Sequence, residues 1–167
     1  MFEQNKDFYP TPGRLIEKML FSLDFDYIQS ILEPSAGKGD IVDKIKKKED
    51  SGWKKRNFDI DCIESDSNLQ HILKGKSYRL VYNDFLNYET MKEYDLIIMN
   101  PPFSNGCKHL LKALEMQKRN GGAIVCLLNA ETLKNQCNND RITLVRLLAE
   151  YNANICLLYT SDAADEL

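Results

Sequence analysis

Asn100-Pro101-Pro102-Phe103 is the stretch of this chain best suited to chemistry. Proline lacks an N–H and fixes its φ, so Pro101-Pro102 makes a stiff, extended turn whose carbonyls point outward. Asn100 sets a side-chain oxygen beside the main-chain carbonyl of Pro101, giving two acceptors with no donor between them. Such a pair suits a planar NH₂, and Phe103 adds a flat apolar face against which that group's ring could stack. A second stretch, Glu33-Pro34-Ser35-Ala36-Gly37-Lys38-Gly39-Asp40, carries two glycines one residue apart. They permit a tight turn and bring a ligand close to bare main chain. A helix starting there would aim N–H groups at an anionic group, while Glu33 could meet an amine. Val42 stands where a dinucleotide fingerprint needs a third glycine, and no Gly-Lys-Ser/Thr follows. The pattern therefore suits a ligand with a carboxylate and an amine but no pyrophosphate; a purely structural glycine turn is the other reading.

Two further acids complete the set. Glu64 could accept hydrogen bonds from both hydroxyls of a ribose. Asp84 could accept from an adenine amino group, with the Phe85 ring packed against the base. Each acid reads equally well as a solvated loop carboxylate.

These residues need elements to position them, and the chain supplies alternating strands and helices. Apolar runs predict strands at Ser30–Glu33, Phe58–Glu64, Tyr78–Tyr82, Asp95–Met99 and Ala123–Leu128. Between and after them, 3.6-residue periodicity predicts helices over Asp40–Lys48, Ser67–Leu73, Cys107–Lys118 and Asp140–Tyr151. Leu110, Leu111 and Leu114 mark one face of the third of these, and Asn120-Gly121-Gly122 ends it. Ile142, Val145 and Leu148 share a face of the fourth. Strands separated by helices imply an α/β architecture, a mostly parallel sheet with helices on both faces. Ligands of such sheets bind at the carboxyl ends of the strands, where the strand order reverses. The four chemically loaded stretches all follow a predicted strand.

Composition bounds the rest. The 167 residues are 43% hydrophobic and 28% charged, as expected of one globular domain. No run approaches the ~20 apolar residues of a membrane span, and the N-terminus lacks a signal peptide's apolar core. The five cysteines show no Cys-x-x-Cys spacing, and His71 and His109 complete no zinc pattern. A soluble, reduced, cytoplasmic protein without a metal is expected, its two histidines incidental helix residues. Residues 156–166 resemble the in-frame translation of a transposon-end adapter used in sequencing libraries, so the native sequence is expected to end near Ile155. On that reading residues 1–155 form one domain, incomplete at its C-terminus. The 25 acids lose three with that tail, leaving 22 to match the 22 bases. No global positive field then advertises a nucleic-acid partner. Lys44, Lys46, Lys47, Lys48, Lys54, Lys55 and Arg56 form a basic cluster read as a solvated face away from the proposed site.

Together these motifs resemble the S-adenosylmethionine-dependent adenine-N6 DNA methyltransferases. Asn100-Pro-Pro-Phe103 matches their catalytic motif IV, and Glu33-Pro-Ser-Ala-Gly-Lys-Gly39 looks like motif I. Glu64 corresponds to the motif II acid and Asp84-Phe85 to motif III. The arm Phe8-Tyr9-Pro10-Thr11-Pro12 is similar to motif X, which packs over the methionine end of the cofactor. The order X, I, II, III, IV resembles the gamma arrangement, with any target-recognition region beyond this chain. The resemblance implies a Rossmann-like class I methyltransferase fold with its last strands missing, and S-adenosyl-L-methionine as cofactor. It implies cofactor contacts from Phe8, Tyr9, Thr11, Pro12, Glu33, Ser35, Gly37, Gly39, Glu64, Asp84 and Phe85. Asn100, Pro101, Pro102 and Phe103 would be catalytic, acting on an adenine flipped out of DNA. The same turn serves enzymes that methylate adenine in RNA or the side-chain amide of a protein glutamine, and a non-catalytic cofactor-binding subunit is a further alternative. Without later strands the fifth strand would be an edge, which Leu157-Leu158-Tyr159 could cover.

Overall fold

The computed structural model describes residues 10–49, 56–135 and 137–158. Its elements, in chain order, are α1 (Gly13–Phe21), β1 (Ser30–Glu33), α2 (Asp40–Glu49), β2 (Asp59–Ile63), α3 (Ser67–Gly75) and β3 (Arg79–Tyr82). After these come β4 (Leu96–Met99), α4 (Gly106–Asn120), β5 (Ala123–Cys126), α5 (Glu131–Lys134) and α6 (Asn139–Glu150). The expected strands and helices are all present, their ends shifted by no more than two residues. The four-residue α5 and a 3₁₀ turn at Phe85–Asn87 were not anticipated. Both are too short to carry an apolar period.

The five strands are parallel and lie in the order β3-β2-β1-β4-β5. Alternation along each strand builds two cores. Ile31, Ile60, Leu96 and Ile98 pack with Ile16, Ile41, Ile45 and Leu73 from α1, α2 and α3. Leu32, Ile63, Ile97 and Met99 face the other way, toward Leu110 and Met116 of α4 and Leu144 of α6. β4 has all four residues buried, as a strand covered on both faces requires. On α6 the fully buried residue is Leu144, whereas Ile142 is 49% exposed. The helix packs on α4 and α5, which turns its inward stripe to Leu144 and Leu148, four residues apart.

Polar contacts lock the sheet at its amino end and across its middle. Asp95, just before β4, accepts hydrogen bonds from the backbone N–H of Gln29 (2.9 Å) and Ser30 (2.8 Å) and from the Ser30 hydroxyl (3.0 Å). Those donors hold its carboxyl below the usual range and clip β4 beside β1. Asp61 sits inside β2 with its side chain 3% exposed, a costly place for a charge. It is compensated by Arg79 Nε, by Lys92 Nζ at 2.7 Å and by the Tyr94 hydroxyl at 2.7 Å. Removing one partner would leave this buried charge less fully compensated.

The basic cluster is largely neutralised where it is described. Lys44 pairs with Glu17 at 2.8 Å, Lys46 with Glu49 at 3.8 Å, and Arg56 with Asp26. Lys54 and Lys55 lie outside the described residues. Leu157 and Leu158 add no strand to the sheet, so β5 pairs only with β4 among the described residues; Tyr159 lies outside them. Among the described residues no helix is long and apolar enough to cross a membrane.

The turn from α4 into β5 gives a sharp test. Gly121 caps α4 in the left-handed region with open space around it. A Cβ on Gly122, by contrast, would lie 2.3 Å from the Tyr94 carbonyl oxygen and 2.4 Å from Gln117 Nε2. Gly122→Ala should therefore destabilise the protein by about 1–3 kcal/mol, more than Gly121→Ala, whose cost is the left-handed φ alone. Thermal unfolding of the two variants checks the ranking, at about 2–4 °C of Tm per kcal/mol.

Candidate functional site

From β1 the chain steps to β2 and then β3 on one side, and only afterwards places β4 on the other side of β1. The strand order thus reverses between β1 and β4, where the connections diverge and leave a crevice at the strands' carboxyl ends. An open cleft lies there. Of the residues expected at a site, Thr11, Glu33, Ser35, Gly37, Glu64 and Pro102 line it. The loop after β1 and the proline turn after β4 therefore share one space.

The glycine loop is built as its residues demand. Gly37 has φ 54° and Gly39 φ 84°, backbone that side-chain-bearing residues rarely adopt. A Cβ on Gly39 would also lie 2.8 Å from the Tyr78 ring. Gly39 thus supports the loop from behind rather than lining the cleft. Behind it, Lys76 Nζ donates to the Lys38 carbonyl and pairs with Asp43, both at 2.7 Å, and the Tyr78 hydroxyl also bonds Asp43.

Glu64 spans the cleft's floor. One carboxylate oxygen accepts from Gly37 N–H at 2.7 Å and the other from Asp66 N–H at 2.9 Å. Glu64 therefore organises the glycine loop itself, a role its sequence position did not suggest. Asp66 in turn caps α3, accepting from the N–H groups of Asn68 and Leu69.

Asn100 closes β4 and reaches the N-terminal arm, where its Nδ2 donates to the Thr11 hydroxyl at 2.9 Å. Pro101 is buried, and the Pro102 carbonyl accepts from Asn105 N–H at 3.0 Å, holding the turn into α4. Phe103 stands 55% exposed beyond it. Pro12 starts α1, its carbonyl accepting from Leu15 and Ile16 N–H, and is not part of the lining. Phe8 and Tyr9 lie outside the described residues.

The expectation for Asp84-Phe85 changes here. Phe85 does not offer its ring to the cleft: it is 2% exposed, in the core, with its centroid 5.6 Å from that of His109. Asp84 caps the 3₁₀ turn, accepting from Leu86 N–H at 3.0 Å and from the Asn87 amide. His109 is a helix residue as expected: it is 8% exposed within α4, with Nδ1 3.0 Å from the Asn105 carbonyl, burial pushes its pKa down, and it is not part of the lining. Sequence reasoning gave Asp40 no role of its own and missed Ile41, Ser65 and Leu69 in the lining. Each lies at the start of a helix or just before one, positions that composition alone does not single out.

No family model matches this chain, and no curated protein matches its sequence. Solved structures do match in shape. The type I restriction-modification methyltransferase subunit of Streptococcus thermophilus superposes with a TM-score of 0.65 at 14% identity, over 88% of this chain and 39% of its own. A candidate RNA methyltransferase of Pyrococcus horikoshii gives 0.59 at 19% identity, over 91% and 71%. Coclaurine N-methyltransferase, solved with N-methylheliamine and SAH, gives 0.52 at 14%, over 75% and 38%. The fold is that of the Rossmann-like class I methyltransferases. The chain spans 39% of the Streptococcus protein's length.

Within this methyltransferase fold the cleft is acidic. Glu33, Asp40 and Glu64 line it against Lys38. The first turn of α2 holds Asp40 and Asp43, so negative charge already sits at the helix end expected to attract an anion. Glu33 is 1% exposed and its Oε2 has no hydrogen-bond partner among the described residues. Burial, reinforced by Asp40, Glu64 and Asp43, pushes its carboxyl well above the usual range. Among the described residues no cluster of three or more His, Cys, Asp or Glu side chains could hold a metal.

The Glu33 carboxyl makes stability depend on pH. Above the ordinary carboxylate pKa the unfolded chain ionises freely while the folded one resists, so stability declines as pH rises through that window. Glu33→Gln removes the cost. The variant should melt above the native protein at pH 7, with the gap closing toward pH 4, as calorimetry across that range would show.

Proposed function

We propose that this chain binds S-adenosyl-L-methionine in the cleft and directs its methyl group to the exocyclic N6 of adenine in DNA. One observation carries the reading: Pro102, from the proline turn, lines the same cleft as Glu33, Gly37 and Glu64. A cofactor site and an NH₂-gripping turn then meet at the reversal between β1 and β4.

The residues suit that cofactor on charge as well as shape. Its amine and sulfonium are cationic, and the cleft presents three carboxylates. Glu33 Oε2, buried without a hydrogen-bond partner among the described residues, is an acceptor suited to a donor such as an ammonium. Glu64, fixed by Gly37 and Asp66, keeps lone pairs for ribose hydroxyls. A pyrophosphate would meet repulsion from the same acids. The bound cofactor supplies an electrophilic methyl on sulfur. The protein supplies orientation: Asn100 Oδ1 and the Pro101 carbonyl accept the two amino hydrogens and favour a pyramidal nitrogen. Phe103, exposed at the turn, offers a stacking surface for a base taken out of a duplex. The fold likeness to a restriction-modification methyltransferase subunit is compatible with a DNA acceptor.

Incubating the protein with methyl-labelled cofactor and DNA, RNA or protein separately locates the acceptor; label in DNA at N6 of adenine is the expected result. Asn100→Ala should leave cofactor affinity intact while methyl transfer falls by roughly 10²- to 10³-fold. Glu64→Ala should weaken cofactor binding measured by calorimetry, and Phe103→Ala should weaken only acceptor binding. Retained transfer by Asn100→Ala would remove the role given to that side chain.

A further inference from the structure

The turn that ends α3 is strained. Ser77 has φ 60°, in the left-handed region that residues other than glycine rarely adopt. Its N–H donates to the Lys74 carbonyl at 2.9 Å, and the Tyr78 N–H donates to the Leu73 carbonyl at 3.0 Å. Lys76 and Tyr78, on either side of Ser77, both reach the back of the glycine loop. Strain of this kind, delivering two side chains to one loop, points to a use beyond ending a helix.

Lys76 Nζ lies 2.7 Å from the Lys38 carbonyl and 2.7 Å from Asp43 Oδ2, with the Tyr78 ring centre 5.9 Å away. An ammonium can only donate and a carbonyl can only accept, so the contact with Lys38 admits one direction of the peptide. Gly39 has φ 84°, and glycine tolerates either sign of φ, so backbone sterics alone do not choose how the Lys38–Gly39 peptide faces. Contacts on both sides of that peptide hold it: the Ala36 carbonyl takes the Gly39 N–H at 2.7 Å, and Lys76 takes the carbonyl. Lys76 also lies between two acceptors, the Lys38 carbonyl and Asp43, that would otherwise repel.

We propose that Lys76, which belongs to none of the sequence motifs, is a positioning residue for the cofactor. By holding the Lys38 carbonyl behind the loop, it helps keep Gly37, Lys38 and Asp40 in the shape that lines the cleft. The proposal rests on the cofactor reading above and deepens it, since affinity then depends on a side chain at the far end of α3. Charge alone predicts the opposite effect. Lys76 stands behind a cleft lined by Glu33, Asp40 and Glu64, and its ammonium opposes the field that attracts a cationic cofactor. Its removal would tighten binding if that field ruled, and loosens binding if the loop contact does.

Lys76→Met keeps an apolar stem and removes the ammonium, whereas Lys76→Arg keeps a cationic donor. In the full chain, calorimetry with S-adenosyl-L-methionine should show affinity about 3- to 10-fold weaker in Lys76→Met and largely restored in Lys76→Arg. The number of sites per chain, measured well below the unfolding temperature, should stay the same. Amide exchange gives a readout without ligand. The Gly39 N–H should exchange faster in Lys76→Met than in the native chain, and slow again in Lys76→Arg. Affinity unchanged or tighter in Lys76→Met overturns the proposal, as does unchanged Gly39 exchange. So does a loss confined to the number of sites, the mark of a chain that is merely less stable. If the native chain binds no S-adenosyl-L-methionine, the cofactor reading itself fails, and Lys76 is left a purely structural role however Gly39 exchanges.

Discussion

The pairing of β1 with β4 is the constraint on which the rest depends. These two strands are distant in sequence, yet Ile31 and Leu32 lie in register with Leu96 and Ile97, and Asp95 is tied to Ser30 at the strands' amino ends. Because the strands are parallel, that register sets where their carboxyl ends stop. One residue of slip would reverse which side chains face each core and move the proline turn along the glycine loop. The crevice is thus a by-product of sheet order, and its chemistry comes from the loops set at its rim.

Much of this was legible in the sequence because it rests on local physics. Parallel strands buried on both faces read as short apolar runs, and β1 and β4 stand out for that reason. Gly37 and Gly39 announced a backbone that needs positive φ, and Gly121 announced the end of α4. What stayed hidden was tertiary. Nothing near Phe85 distinguishes a ring lying in the core beside His109 from one lying over a ligand. Nor does a sequence reveal that Glu64 bonds the main chain of Gly37, twenty-seven positions away. The Asp61 cluster is similar: an acid inside an apolar strand is intelligible only once Arg79, Lys92 and Tyr94 are beside it.

The site also shows where local rules yield. One carboxylate oxygen of Glu33 and the Ser35 hydroxyl, at the end of β1 and in the loop after it, have no hydrogen-bond partner among the described residues. In a core built only for stability both would be paired or replaced by apolar groups. Here the glycine loop, braced from behind by Lys76 and Tyr78, holds them at the cleft. These two groups therefore sit where the loop is otherwise well supported.

The state of Glu33 has a consequence for any cation that enters. Burial and the neighbouring acids favour the neutral form of the Glu33 carboxyl, whereas an ammonium beside it would favour the charged form. Ligand uptake and proton loss then form a single thermodynamic exchange, in which acidity competes with the ligand for the same oxygen. The heat of association would carry the ionisation enthalpy of whichever buffer receives that proton.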